Sequence, residues 1–231
     1  MKWFLTIAVA MLVIGCGTSK PAQPAAKPPT PPAQAAQPTP AAAPADTTAA
    51  KSATQPQVAG MLKDTLVATK LPDSLFFNIK VKDFGTMKIQ MYTKDAPLNV
   101  TNVANLGIKG FYNGLTFHRL IPGFMIQGGD PSGNGTGGPG YTVAAEIKKP
   151  HTKGAMAMAR TGDNVNPGKR SSGSQFYICF QPTPQLDGQY TVIGQLVAGD
   201  DVLAKLEQVK TGPMDKPLTP VVMEQVWVTN Q

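Results

Sequence analysis

FHRLIPGFMIQGGD, residues 117–130, is the stretch whose reading decides the fold. It sets a cation, Arg119, among Phe117, Leu120, Ile121, Phe124, Met125 and Ile126, which otherwise read as a buried strand. A guanidinium is rarely buried without a partner, and none adjoins Arg119 in sequence. Pro122-Gly123 interrupts the run as a turn or bend would. Gln127 then leads into Gly128-Gly129-Asp130, where the chain must turn or approach something closely. For a single strand arginine the simpler reading is a stem that snorkels to water. Here the run as a whole argues against it.

Upstream, LFFNIKV (75–81) and TMKIQMY (86–92) are strand-like, with Met87, Ile89 and Met91 alternating against Lys88 and Gln90. Asp83-Phe84-Gly85 joins them as a hairpin turn. Pro97 stands near the start of a helix that carries Val100, Val103, Ala104, Leu106 and Gly107 at helical spacing and closes at Gly110. Downstream, GNGTGGPG (133–140) reads as a flexible loop. It is no phosphate-binding loop, since it lacks a Gly-Lys-Ser/Thr ending and runs into the strand-like YTVAAEI. GAMAMAR (154–160) alternates small residues with Met ahead of a polar loop, and SQFYICF (174–180) is a strand rich in aromatics. Leu186-Asp187-Gly188 reads as a turn and YTVIGQLV (190–197) as a strand. A second helix is predicted from Asp200 to about Val209, with Asp200 as N-cap and Val202, Leu203 and Leu206 as its apolar stripe. VVMEQVWV (221–228) supplies the last strand. Many strands and two short helices indicate a mainly β, closed antiparallel barrel, with the strand order left open.

The run at 117–130 resembles, almost residue for residue, the signature of the cyclophilins, the barrel-shaped peptidyl-prolyl cis-trans isomerases. NGTGG (134–138), GSQFYI (173–178) and LDG (186–188) stand where that family has closely similar strings, so the resemblance extends from about residue 75 to the end. It implies a closed eight-stranded antiparallel barrel with two capping helices and a site on its outer face. Arg119 matches the catalytic arginine and Gln127 the glutamine that orients it. Phe124, Met125, Tyr177 and Leu186 match the proline pocket, where Phe is commoner than Tyr at the position of Tyr177. Ala159 and Gln175 match positions lining the peptide groove, and Tyr190 a pocket position that is His in many eukaryotic members. Arg160 stands where many members have Asn, and Gln185 replaces the Trp associated with tight cyclosporin binding.

The reaction implied is rotation about X–Pro bonds in proline-containing polypeptides, which asks for no nucleophile, metal or cofactor. The only two histidines are His118 and His151, too few for a histidine-rich metal site. His118 is expected to make a structural hydrogen bond. Cys179, between Ile178 and Phe180, reads as a small buried hydrophobe.

The rest of the 231 residues is a different kind of chain. MKWFLTIAVAMLVIG (1–15) holds one Lys and an apolar run of about a dozen residues, too short for a lasting membrane span and suited to a secretory signal. Val13-Ile14-Gly15-Cys16 resembles the bacterial lipobox, which makes Cys16 the expected lipidation site and rules out an intrachain disulfide with Cys179. Residues 20–57 hold 10 Pro and 13 Ala with no aromatic. Such a segment cannot bury enough apolar surface to order itself, so 16–72 reads as a lipid-anchored, disordered tether. Extended at roughly 3 Å per residue, the 20–57 segment would reach on the order of 100 Å. Residues 58–69 read either as a short helix or as more linker, and the folded domain is expected over 73–231.

The formal net charge of +7 and pI near 9.4 come from a mild excess spread along the chain. There is no basic run with interleaved aromatics, so nucleic acid is not an expected partner. The expectation is a monomeric, lipid-anchored prolyl isomerase on the extracytoplasmic side of a bacterial envelope, assisting the folding of exported proteins. A non-catalytic proline-peptide binding module or envelope chaperone is the alternative use of the same groove. A purely structural lipoprotein fits residues 1–72 but leaves the pocket unexplained.

Overall fold

The computed structural model describes residues 71–230. The signal segment, Cys16, the Pro/Ala-rich tether and the ambiguous 58–69 stretch lie outside the described residues.

β1 (Phe76–Val81) and β2 (Gly85–Met91) form the predicted hairpin, with Asp83 at φ 66° taking its left-handed corner. Their alternation puts Phe77 opposite Ile89 and Ile79 opposite Met87, all fully buried. α1 (Pro97–Ile108) lays Val100, Val103, Ala104 and Gly107 against this interior. Gly107 has a packing reason: a Cβ there would come within 2.9 Å of the Phe77 ring.

The start of α1 is capped from a distance. Ala96 at the N-cap offers no side-chain acceptor. Glu146, expected to lie in a strand, instead accepts hydrogen bonds from Leu98 N (3.1 Å), Asn99 N (2.9 Å) and Asn99 Nδ2 (2.8 Å). A carboxylate at this end also meets the positive pole of the helix. Of YTVAAEI, only β6 (Thr142–Val143) is strand, paired with β8 (Ser171–Ser172); the remainder delivers Glu146 to the helix. Glu146→Ala removes the acceptor of these donors, two of them on the fully buried Asn99. The expected cost is about 1–3 kcal/mol, read as a lower urea midpoint at unchanged slope.

The large sheet has nine strands in the order β3-β11-β1-β2-β10-β7-β9-β5-β4, every neighbouring pair antiparallel. The added members are β3 (Thr116–Phe117), β4 (Arg119–Ile121), β5 (Met125–Gly128), β7 (Ala155–Met158), β9 (Phe176–Cys179), β10 (Val192–Ala198) and β11 (Val221–Thr229). The two ends of that order, β3 and β4, are separated in the chain by His118 alone. There the stretch exchanges one neighbour, β11, for another, β5, and so nearly closes a barrel. Eight strands were expected and nine occur because pairing breaks at His118; counted as one strand, 116–121 restores eight.

α2 (Asp200–Glu207) buries Val202, Leu203 and Leu206 as predicted, but Asp200 is not its cap. Gly199 holds that position at φ 97°, and a Cβ there would lie 2.6 Å from the Thr86 carbonyl oxygen. The chain leaves β10 through a corner that only glycine fits.

Phe176 stands at the centre of the core, edge-on to Phe77, Tyr112 and Phe117 with ring centroids 5.6–6.2 Å apart. Such edge-to-face contacts add to the burial each ring already contributes.

Candidate active site

Strand register decides which side chains reach the outer wall. Across β4, β5, β9 and β7 the directly paired residues are Arg119, Gln127, Tyr177 and Ala157, and Ala157 also pairs with Val192 of β10. Paired residues share a face. The adjacent row, Leu120, Ile126, Ile178 and Met156, belongs to the barrel core. Alternation along each strand therefore sends one set inward and the other to the site. This explains why β7 and β9 bury every residue: Met156 and Met158 fill the barrel, while Ala155 and Ala157 pack beneath the outer cluster.

That outer cluster gathers Met125, Ala159, Tyr177, Leu186 and Val192, with Phe124 and Tyr190 packed against it. All six expected apolar site residues meet there. Leu186 arrives on a 3₁₀ turn, Pro184–Leu186, and Tyr190 from the approach to β10. Tyr190 is edge-on to Tyr177 at 5.8 Å between centroids and is faced by the Arg160 guanidinium at 4.8 Å. Arg160 is tied down by Gln189 O, Thr161 O and Asp163, so its charge is already engaged.

Tyr177 is anchored from below. The Asp187 carboxylate is 2.8 Å from His151 Nδ1, and His151 Nε2 is 2.9 Å from the Tyr177 hydroxyl. Since a carboxylate accepts, Nδ1 carries the proton and Tyr177 donates to Nε2. Burial lowers the His151 pKa against the opposing pull of Asp187, and burial raises that of Tyr177. The array fixes the pocket floor to the turn that carries Leu186. Cys179 is fully buried beside Thr183 and its thiol is pushed up to about 11 by burial, which fits the inert hydrophobe the sequence suggests.

Arg119 has the partner that its own neighbourhood in sequence lacks. Its Nε donates to Asp215 Oδ2 at 3.2 Å, and its buried Nη2 has no acceptor among the described residues. The expected orienting contact from Gln127 is not made. Gln127 Nε2 donates instead to Gln175 Oε1 at 3.0 Å. The reason lies one shell out: Gln175 Nε2 is committed to the carbonyls of Gly135 and Gly137, which leaves its Oε1 facing Gln127. Those glycines belong to the loop read as flexible. Asp130 accepts from the backbone N–H groups of Ser132, Asn134 and Gly135, so this loop is a pinned wall of the groove through Gly137.

His118 also departs from expectation. Neither ring nitrogen has a hydrogen-bond partner among the described residues, and burial lowers its pKa. It faces a cavity of about 360 Å³ walled by β3, Asp130–Gly133 and Lys216–Pro217, and donates only its backbone N–H, to Gln127 O. The 161–172 loop is held by Arg170, whose Nε and Nη2 donate to Thr142 Oγ1 and O. Among the described residues, no group of three or more His, Cys, Asp or Glu side chains is placed to hold a metal ion.

The sequence of residues 76–228 matches the family model described as cyclophilin type peptidyl-prolyl cis-trans isomerase/CLD. A peptidyl-prolyl cis-trans isomerase of Synechococcus elongatus is 47% identical over 129 residues, covering 55% of this chain and 84% of the relative. Peptidyl-prolyl cis-trans isomerase B of Bacillus subtilis is 46% identical over 122 residues, covering 52% and 81%. The crystal structure of a cyclophilin type isomerase from Cryptosporidium parvum superposes with a TM-score of 0.64 at 29% identity, covering 68% of this chain and 99% of that one. A further structure of that protein, with a TM-score of 0.61 and 28% identity over the same shares, was obtained in the presence of the dipeptide Ala-Pro.

Proposed function

The chain belongs to the cyclophilin-type peptidyl-prolyl cis-trans isomerases, and on that premise we propose that Arg119 drives rotation of X–Pro bonds in exported polypeptides held on the outer wall of the barrel. The observation that carries this reading is the row Arg119–Gln127–Tyr177, which sets a cation beside an apolar pocket on one face.

The reaction breaks no bond. An X–Pro amide must twist through a barrier of about 18–20 kcal/mol set by its resonance, and unaided exchange takes tens to hundreds of seconds. At the twisted geometry that resonance is lost and the proline nitrogen regains a basic lone pair. Phe124, Met125, Tyr177 and Leu186 would clamp the ring, while Ala159, Gln175 and Tyr190 line the approach. A guanidinium N–H aimed at the nitrogen stabilises the twisted state more than either planar one, which is the condition for acceleration. Arg119 is tethered at Nε and buried at Nη2, which leaves Nη1 as the donor it presents. Gln127 contributes with Gln175 to the groove wall. Exchange NMR on a short X–Pro peptide tests the reading. Near-wild-type exchange in folded Arg119→Ala would remove Arg119 from the mechanism and favour a groove that binds without turning over.

The setting is proposed from the sequence outside the described residues. Residues 1–15 act as a signal, Cys16 carries lipid, 16–72 tether the domain, and 73–231 work as a monomer on envelope clients. Supporting this are the short apolar segment ending at Gly15-Cys16 and the Pro/Ala-rich stretch that follows. Cys16→Ser is expected to abolish incorporation of labelled fatty acid; label persisting in that variant would sink the anchor assignment.

A further inference from the structure

Lys210 to Leu218 forms a small hairpin, closed by Leu218 N to Lys210 O at 2.9 Å, Gly212 N to Lys216 O at 2.8 Å and a bridge between Thr211 and Pro217. At its tip Met214 and Asp215 lie at φ 61° and 59°, two consecutive non-glycine residues in the left-handed region. That conformation is unfavourable for a side-chain-bearing residue and persists only where surrounding contacts over-determine it. Burial of the tip does not account for it, since Met214 is 87% exposed. What the tip does secure is Asp215 against Arg119.

We propose that Asp215 is a positioning residue for the isomerase reaction, holding the Arg119 guanidinium by Nε so that its Nη1 donors face the bound proline. The proposal rests on the role given to Arg119 above. Arginine has a long stem, and β4 fixes only its root, so some contact beyond the strand must set the plane of the fork. Among the described residues the Asp215 carboxylate is the single side-chain acceptor that Arg119 has. Engagement at Nε leaves the outer N–H groups uncommitted, whereas a carboxylate bridging both Nη atoms would occupy the donors the reaction uses. As a stabilising surface pair this contact would count for little, with the Asp215 side chain 44% exposed. Its value lies in geometry.

The sign of the effect separates positioning from simple charge. A carboxylate beside the guanidinium weakens the positive field at the proline nitrogen. If Arg119 acted only through that field, removing Asp215 would speed turnover. If Asp215 aims the fork, removing it slows turnover and leaves peptide affinity nearly unchanged.

The test is a double-mutant cycle in the full chain, with exchange NMR for rate and titration for affinity on one X–Pro peptide. Asp215→Gly removes the carboxylate while suiting the left-handed backbone, so the fold is not put at risk. It is expected to cut turnover about tenfold, less than the 10² that full misplacement can cost, with affinity changed by no more than about twofold. Asp215→Asn still accepts from Nε–H and tolerates φ 59°, so it should restore most of the rate. In an Arg119→Ala background, Asp215→Gly should cause no further loss. The Arg119 Nε–H resonance, slow to exchange in the wild type, should persist in Asp215→Asn and be lost in Asp215→Gly. Unchanged or faster turnover in Asp215→Gly, alongside a large loss in Arg119→Ala, overturns this proposal alone. Additive losses in the double variant overturn it too, since Asp215 would then act independently of Arg119. Wild-type turnover in Arg119→Ala removes the reading beneath it and the proposal together.

Discussion

Arg119→Lys is expected to lower turnover of a short X–Pro peptide by about 10²–10³, the loss typical of removing one pre-aimed donor, while peptide affinity falls far less. Both side chains are cations, so a mere positive field beside the groove would survive the exchange. Two directions are asked of this residue at once: Nε–H toward Asp215 Oδ2 and an Nη–H toward the twisting proline nitrogen. A lysine ammonium is a compact charge on a flexible stem and cannot hold both. The apolar pocket of Phe124, Met125, Tyr177 and Leu186 is untouched, which is why binding should persist. Exchange NMR gives the rate, titration the affinity, and circular dichroism the folded state. A lysine variant within a few-fold of wild type would show that charge alone suffices.

The largest expected effect on stability is at the neighbour of a site residue. Phe176→Ala should cost about 3–5 kcal/mol, against a total stability that for a domain of this kind is about 5–15 kcal/mol. Phe176 is fully buried and meets three other rings, so truncation leaves a cavity that the nearly closed barrel cannot collapse around. Tyr177→Phe, one residue on and facing the other way, leaves only His151 Nε2 without its partner and should cost about 1 kcal/mol. Urea unfolding of the two variants checks the contrast. Similar midpoints would mean that the inward and outward rows are not the separate environments the register indicates.

Local signals in the sequence proved dependable where the structure itself is local. The β1–β2 hairpin, α1 and the stripe of α2 follow from alternation, Pro97 and helical spacing. Of the expected pocket residues that gather on the outer wall, Phe124 and Met125 come from the 14-residue run, and Ala159, Tyr177, Leu186 and Tyr190 from the wider resemblance. What escaped depends on contacts across long stretches of chain. Asp215 lies 96 positions from Arg119, in a segment whose only mark is a Gly-Pro turn. Glu146 caps a helix 47 residues before it, and nothing in YTVAAEI signals that duty. Gln127 pairs with Gln175 and not with the expected Arg119, because its choice depends on how Gln175 spends its own amide against Gly135 and Gly137. Strand order was likewise out of reach, since the swap of neighbours at His118 depends on closure and not on residue type.

The alternation of the two rows across β4, β5, β9 and β7 also ties the strand register to the make-up of the site. A slip of one residue between β4 and β5 would turn Arg119 into the barrel and Leu120 out to the groove, because side chains in a strand change face at every step. An unpaired guanidinium in that interior, stripped of Asp215 and of water, is costly enough to disfavour the misaligned pairing. The same register thus sets both the core and the site. A chain with these strands out of step would therefore lose the packed interior and the outer-wall site together.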